Sequence, residues 1–168
     1  VGVAGGQEKC DFAVNELGFD VCIDHKADDF EEQLKAACPD GIDIYYENVG
    51  GKVFDAVMPL LNAHARIPVC GLVAQYNATE LPEGKDRLSV LTGLILSRRL
   101  TIKGFIIFEE YGDHYPEFLE TMGKWVESGD VKTKEYIADG LDNAPDAFVR
   151  MLNGDNFGKT VVKVADVK

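Results

Sequence analysis

Short apolar runs alternating with amphipathic stretches constrain this chain more than any other feature. Runs at 1–4 (VGVA), 20–24 (DVCID), 41–46 (GIDIYY), 66–71 (RIPVCG) and 100–108 (LTIKGFIIF) each have the length and composition of a strand. Between them, residues 8–17, 28–38, 52–61 and 86–98 carry apolar side chains at helical spacing. This order predicts a parallel sheet joined by helical crossovers. The runs at 42–46 and 67–70 are apolar almost throughout, as expected of strands covered on both faces.

Local signals agree with that order. Gly18 follows the first helical stretch and suits a left-handed C-terminal residue. Asp28, with Glu31 three residues on, reads as a capping box for the second. Two more helices, at 114–128 and 144–152, precede a closing strand at 160–164, and the single tryptophan, Trp125, is expected in the core. A polar loop at 74–85 is long by the usual standard, and such loops tend to carry function. The expected fold is α/β: one domain over 1–168 with a doubly wound, Rossmann-like parallel sheet. In such sheets ligands bind at the carboxyl ends of the strands.

Composition narrows the partners. The formal net charge of −12 argues against nucleic acid, whose phosphates need a basic face. Cys10, Cys22, Cys38 and Cys70 are dispersed, with no C-x-x-C pair and no clustered histidines, so neither structural zinc nor a disulfide framework is expected. No apolar run has the length of a membrane span and no signal peptide opens the sequence, which predicts a cytoplasmic protein without a membrane partner. The sequon Asn77-Ala78-Thr79 is then a chance match.

The phosphate-binding fingerprint G-x-G-x-x-G is absent, and Gly50-Gly51-Lys52 lacks the remainder of a P-loop. The chain opens on VGVA without an initiator methionine. The expectation is that the first strand and its glycine-rich loop lie upstream, and that residues 1–4 form the second strand of the fold. The absent strand would sit between 1–4 and 41–46. Without it two strand edges are unpaired, which predicts self-association or a homo-oligomer.

The residues after that strand bear on cofactor choice. An NAD enzyme places Asp or Glu there for the ribose hydroxyls, whereas an NADP enzyme must accommodate a phosphate. This chain has Gly5-Gly6-Gln7-Glu8-Lys9. A lysine beside a helix N-terminus suits a phosphate dianion, although spacing alone equally allows a surface lysine after a tight turn.

The strings AGGQEKC, ELGFD, PDGIDIYYENVGG, RIPVCGLVAQYN, GFII and NFGK together resemble the zinc-independent medium-chain reductases. Within them the chain is similar to the prostaglandin and leukotriene reductases, and most of all to the bacterial NADPH-dependent curcumin reductases. The resemblance implies a two-domain enzyme of about twice this length that reduces the carbon–carbon double bond of an α,β-unsaturated ketone or aldehyde. It also implies that the amino-terminal catalytic domain lies outside this chain.

Carried over residue by residue, the resemblance places Lys9, after Gly6, at the adenosine 2′-phosphate of NADP(H). His25 stands where the family usually has tyrosine, which leaves its contact open against a solvated histidine. Asn48 matches a cofactor-contacting asparagine; by itself it is a turn-former before two glycines. Cys70 and Gly71 would pass the nicotinamide, with Cys70 otherwise a small buried packing residue. Phe105, Ile106 and Ile107 match a segment whose backbone meets the carboxamide. Asn156 and Gly158 match a turn closing over the cofactor. Tyr76 is the candidate catalytic residue, because a phenol can hydrogen-bond the substrate carbonyl or donate a proton as negative charge develops; packing against the cofactor is its alternative role. A non-catalytic nucleotide-binding or regulatory module is the alternative reading of the whole. A methyltransferase-like sheet fits less well, since that class wants an acidic residue where Gly5-Gly6 stand.

Overall fold

A computed structural model of the chain describes residues 1–80 and 87–166. Strand β1 (Gly2–Ala4) leads through helix α1 (Gln7–Asn15) to β2 (Cys22–Asp24), and α2 (Phe30–Ala37) leads to β3 (Ile42–Ile44). Helix α3 (Gly51–Val57) tightens into a 3-10 turn before β4 (Leu61–Val69). Then come α4 (Leu88–Arg98), β5 (Thr101–Gly104), α5 (Ile107–Tyr111) and α6 (Tyr115–Ser128), followed by β6 (Glu135–Asp139), α7 (Ala144–Leu152) and β7 (Lys159–Lys163). Residues 81–86, which include the end of the expected 74–85 loop and the start of the expected 86–98 helix, lie outside the described residues.

All the strand pairings are parallel. β1 pairs with β2, with Gly2 opposite Cys22. β3, β4 and β5 form a second ladder in that order, and β6 pairs with β7. The ladders are three among the described residues, and β1 and β3, expected to flank a further strand, do not pair with each other. β1 and β3 are each paired on one side only, and an opening of about 680 Å³ between them is lined by Val3, Ile42, Leu34 and Val53. One core nevertheless runs under both ladders: Ile23, Phe30, Leu34, Val53, Val57, Leu61 and Ile67 are all at most 5 % exposed. Phe30 and Leu34, four apart, share one face of α2, and each such burial stabilises by about 1.5–3 kcal/mol.

Several local expectations are corrected. Helix α2 starts at Phe30 with Asp29 as its cap and no side-chain cap bond; Asp29 instead accepts from the Gln33 side chain at 2.7 Å, so no capping box forms at Asp28. The apolar run at 100–108 leaves the sheet at Gly104, and its end turns into α5. β6 was not evident in the sequence, because its alternation (EYIAD) is short and flanked by charge. Trp125 is 48 % exposed on α6, together with Phe118 and Leu119: the apolar stripe of that helix faces outward. β4 begins five residues before the expected strand, and its register against β3 slips around His64, whose φ of 65° marks the bulge.

Candidate functional site

The loops that follow β1 to β5 carry two groups of residues. The first surrounds the turn after β1. Gly6 has φ 101°, open to glycine at little cost, and its N–H donates to Asp24 Oδ1 at 2.9 Å. The Lys26 N–H donates to the same oxygen at 2.9 Å. Those two donors, Gly6 first, hold the Asp24 carboxyl below its ordinary range. A β-carbon on Gly5 would stand 3.0 Å from His25 Nε2 and 3.3 Å from Lys26 Cε, so the glycine lets both side chains close over the turn. Lys52 reaches across from α3 and donates to the His25 carbonyl at 3.3 Å. Lys9 donates to the Gly154 carbonyl at 3.0 Å. In a chain of net charge −12, three ammonium groups and an imidazole gather about one glycine turn, with the Asp24 carboxylate among them occupied by the Gly6 and Lys26 amides. Asp24, Lys26 and Lys52 were not singled out from sequence. Lys26 could have been, since it directly follows His25 at a strand end, but Lys52 arrives from a different crossover.

The second group gathers where β3, β4 and β5 end. The Glu47 carbonyl accepts from Cys70 N–H at 2.8 Å and Gly71 N–H at 3.4 Å, and the Asn48 carbonyl accepts from Val73 N–H at 3.0 Å. These bonds hold the loop after β3 against the loop after β4. A β-carbon on Gly71 would meet Asn48 Oδ1 at 2.7 Å and Tyr76 Oη at 3.4 Å, so the three residues converge on one point. The cleft in front of them, about 550 Å³, is lined by Cys70, Gly71, Tyr76, Phe105 and Ile106. Tyr76 closes a 3-10 turn (Val73–Gln75) and is 66 % exposed. Asn77 donates to the Leu152 carbonyl at 3.0 Å, tying this loop to the end of α7. Cys70, expected to be buried packing, is exposed. Its hydrogen bond with Tyr46 is the main reason that phenol is pushed above its ordinary range.

Three of the remaining candidates lie elsewhere. Ile107 begins α5 and lines a separate apolar hollow of about 310 Å³ with Phe108, Tyr111 and Phe118. Asn156 donates to the Gly158 carbonyl at 2.8 Å within a turn, and Phe157 between them meets Phe12 edge-on at 5.3 Å. That turn shares a recess with Lys9 and Phe12, away from Tyr76. Gly158, at φ 91°, packs against the Lys134 backbone, where a side chain would not fit.

Among the described residues, no group of three or more His, Cys, Asp or Glu side chains could hold a metal ion, and no helix is long and apolar enough to cross a membrane. Parallel strands joined by helices, with polar side chains converging beyond their carboxyl ends, define a Rossmann-type nucleotide-binding class. Residues 17–162 match the family model described as zinc-binding dehydrogenase, and the chain belongs to that family, within its medium-chain reductases. It is 62 % identical over 165 residues to the NADPH-dependent curcumin reductase of Escherichia coli, covering 98 % of this chain and 48 % of the relative. It is 42 % identical over 166 residues to the NADP(+)-dependent 2-alkenal reductase of Nicotiana tabacum, covering 98 % and 47 %. The crystal structure of CurA from Vibrio vulnificus in complex with NADPH superposes with a TM-score of 0.93 at 59 % identity, covering 99 % of this chain and 49 % of that one. The chain thus spans about half the length of the relatives it matches.

Proposed function

We propose that this chain is the cofactor-binding part of a cytoplasmic, zinc-independent reductase that uses NADPH to saturate the carbon–carbon double bond of α,β-unsaturated ketones or aldehydes. The observation that carries the reading is the convergence of Asn48, Gly71 and Tyr76 on an open cleft at the same strand edge that bears the cationic glycine turn. The donor set fits the cofactor. Lys9, Lys26 and His25 offer cations and N–H groups to an adenosine 2′-phosphate around a turn without β-carbons. The relatives' names, one NADPH-dependent and one NADP(+)-dependent, support the same choice.

Bound NADPH would supply the reducing equivalents, the difficult part of the chemistry. The chain's own residues orient and stabilise. Cys70, Gly71, Phe105 and Ile106 form the floor and walls on which a nicotinamide would rest, with the Asn48 side chain beside Gly71. Asn156 and Gly158 belong to a turn that, with Lys9, steadies the adenosine side. Tyr76 presents a phenol at the open face, where it can donate a hydrogen bond to a substrate carbonyl as negative charge accumulates on it, or pass on its proton.

The test uses the full-length protein that carries this chain, with NADPH and a small enone, followed by product analysis. The saturated ketone is expected. An allylic alcohol would show carbonyl reduction instead, and absence of turnover would favour a non-catalytic module.

A further inference from the structure

Glu47 is the only charged or polar residue buried to the level of the core among the described residues, at 2 % exposed, and no cation pairs with it there. A buried carboxylate is costly unless donors surround it. They do: Oε1 accepts from Val49 N–H at 2.6 Å and Gly50 N–H at 2.8 Å, and Oε2 accepts from Tyr45 Oη at 3.2 Å. Its N–H donates to the Pro68 carbonyl at 2.9 Å, and its carbonyl takes Cys70 and Gly71. Burial above all, and then the Glu47 charge, push the Tyr45 phenol up, so it stays a donor.

What this clamp fixes is the next three residues. Gly50 and Gly51 both lie at positive φ, 76° and 57°, a dipeptide with wide conformational freedom. The carboxylate selects one conformation by accepting the amides on the near side of that pair. Asn48 stands between the clamp and the glycines, and its own side chain is exposed at Gly71. The Asn48 backbone is held on one side by this clamp and on the other by its own carbonyl, which accepts from Val73 N–H at 3.0 Å.

We propose that Glu47 is a positioning residue for the cofactor, acting through Asn48; this rests on the NADPH-binding reading above. A double-mutant cycle tests it in the full-length protein, with NADPH affinity measured by titration. Glu47→Gln is isosteric but loses the charge on the amide acceptor, and should weaken NADPH by about five- to tenfold, the scale of a weakened charge-assisted bond. In an Asn48→Ala background the same change should cost less than about twofold, because the side chain it positions is gone. A merely structural Glu47 would impose the same factor in both backgrounds, and that result, or an unchanged affinity for folded Glu47→Gln, overturns the proposal. Should Glu47→Gln not fold, Tyr45→Phe removes the Oε2 partner and runs the same cycle, with an expected two- to threefold effect that also vanishes with Asn48→Ala. Failure of the unmutated protein to bind NADPH would instead sink the cofactor reading itself.

Discussion

The Asn48 side-chain oxygen stands 2.7 Å from the point that a β-carbon on Gly71 would occupy. Glycine is therefore required at 71 for room and not for backbone freedom, since its φ is not positive. Gly71→Ala should push Asn48 aside and crowd the Tyr76 hydroxyl. The displaced groups are side-chain ends at an open cleft, so the cost in stability should be modest, about 1–2 kcal/mol. Affinity for NADPH in the full-length protein should fall by more than tenfold, on the scale of one or two lost hydrogen bonds. A cofactor titration beside a denaturant melt separates the two; lost stability with intact affinity would contradict the placement of Asn48 at the cofactor.

Tyr76→Phe keeps the ring and removes the hydroxyl that is proposed to answer developing negative charge. Its effect should fall mainly on kcat, by on the order of tenfold to a hundredfold, with little change in NADPH affinity. Tyr76 as a whole is 66 % exposed, so water can take over part of its function, which sets the expectation at the low end. Steady-state kinetics with an enone decide it. A rise only in the NADPH dissociation constant would make Tyr76 a packing residue.

The free edges of β1 and β3 face the same opening, with Ile44 and Tyr46 each 59 % exposed beside it. Unpaired edges flanked by apolar side chains recruit strands from other chains. The 168-residue polypeptide expressed by itself should therefore form dimers or larger species in light scattering. A monodisperse monomer whose mass shows no accompanying peptide would contradict this.

The crossover pattern and the strand-end loops were legible in the sequence because apolar runs and helical spacing encode them directly. Lys9, Asn48 and Tyr76 were singled out through the family resemblance, on motifs that are each local to one loop. The clustering of Lys52 with His25 was not legible, since it depends on how one crossover packs against another. Glu47 was hidden for a related reason: within ENVGG it reads as an exposed acid, and its burial comes from pairing with the end of β4 and from the turn through Gly50 that wraps its carboxylate. β6 and the outward stripe of α6 were missed because short charged strands and unpartnered apolar faces carry no signal distinct from loop and core.

Lys9 is the residue on which the proposed selection of a 2′-phosphate at the β1 edge turns. Among the described residues the Lys9 ammonium is held by the Gly154 carbonyl alone, a neutral partner that an anion would readily replace. Titration of the full-length protein with NADPH and with NADH, before and after Lys9→Ala, separates the 2′-phosphate from the rest of the cofactor. Loss of a charge-assisted hydrogen bond should weaken NADPH by about 1.5–3 kcal/mol and leave NADH nearly unchanged. Equal weakening of both cofactors would show that Lys9 only braces α1 against the 154 turn, and would contradict the NADPH assignment.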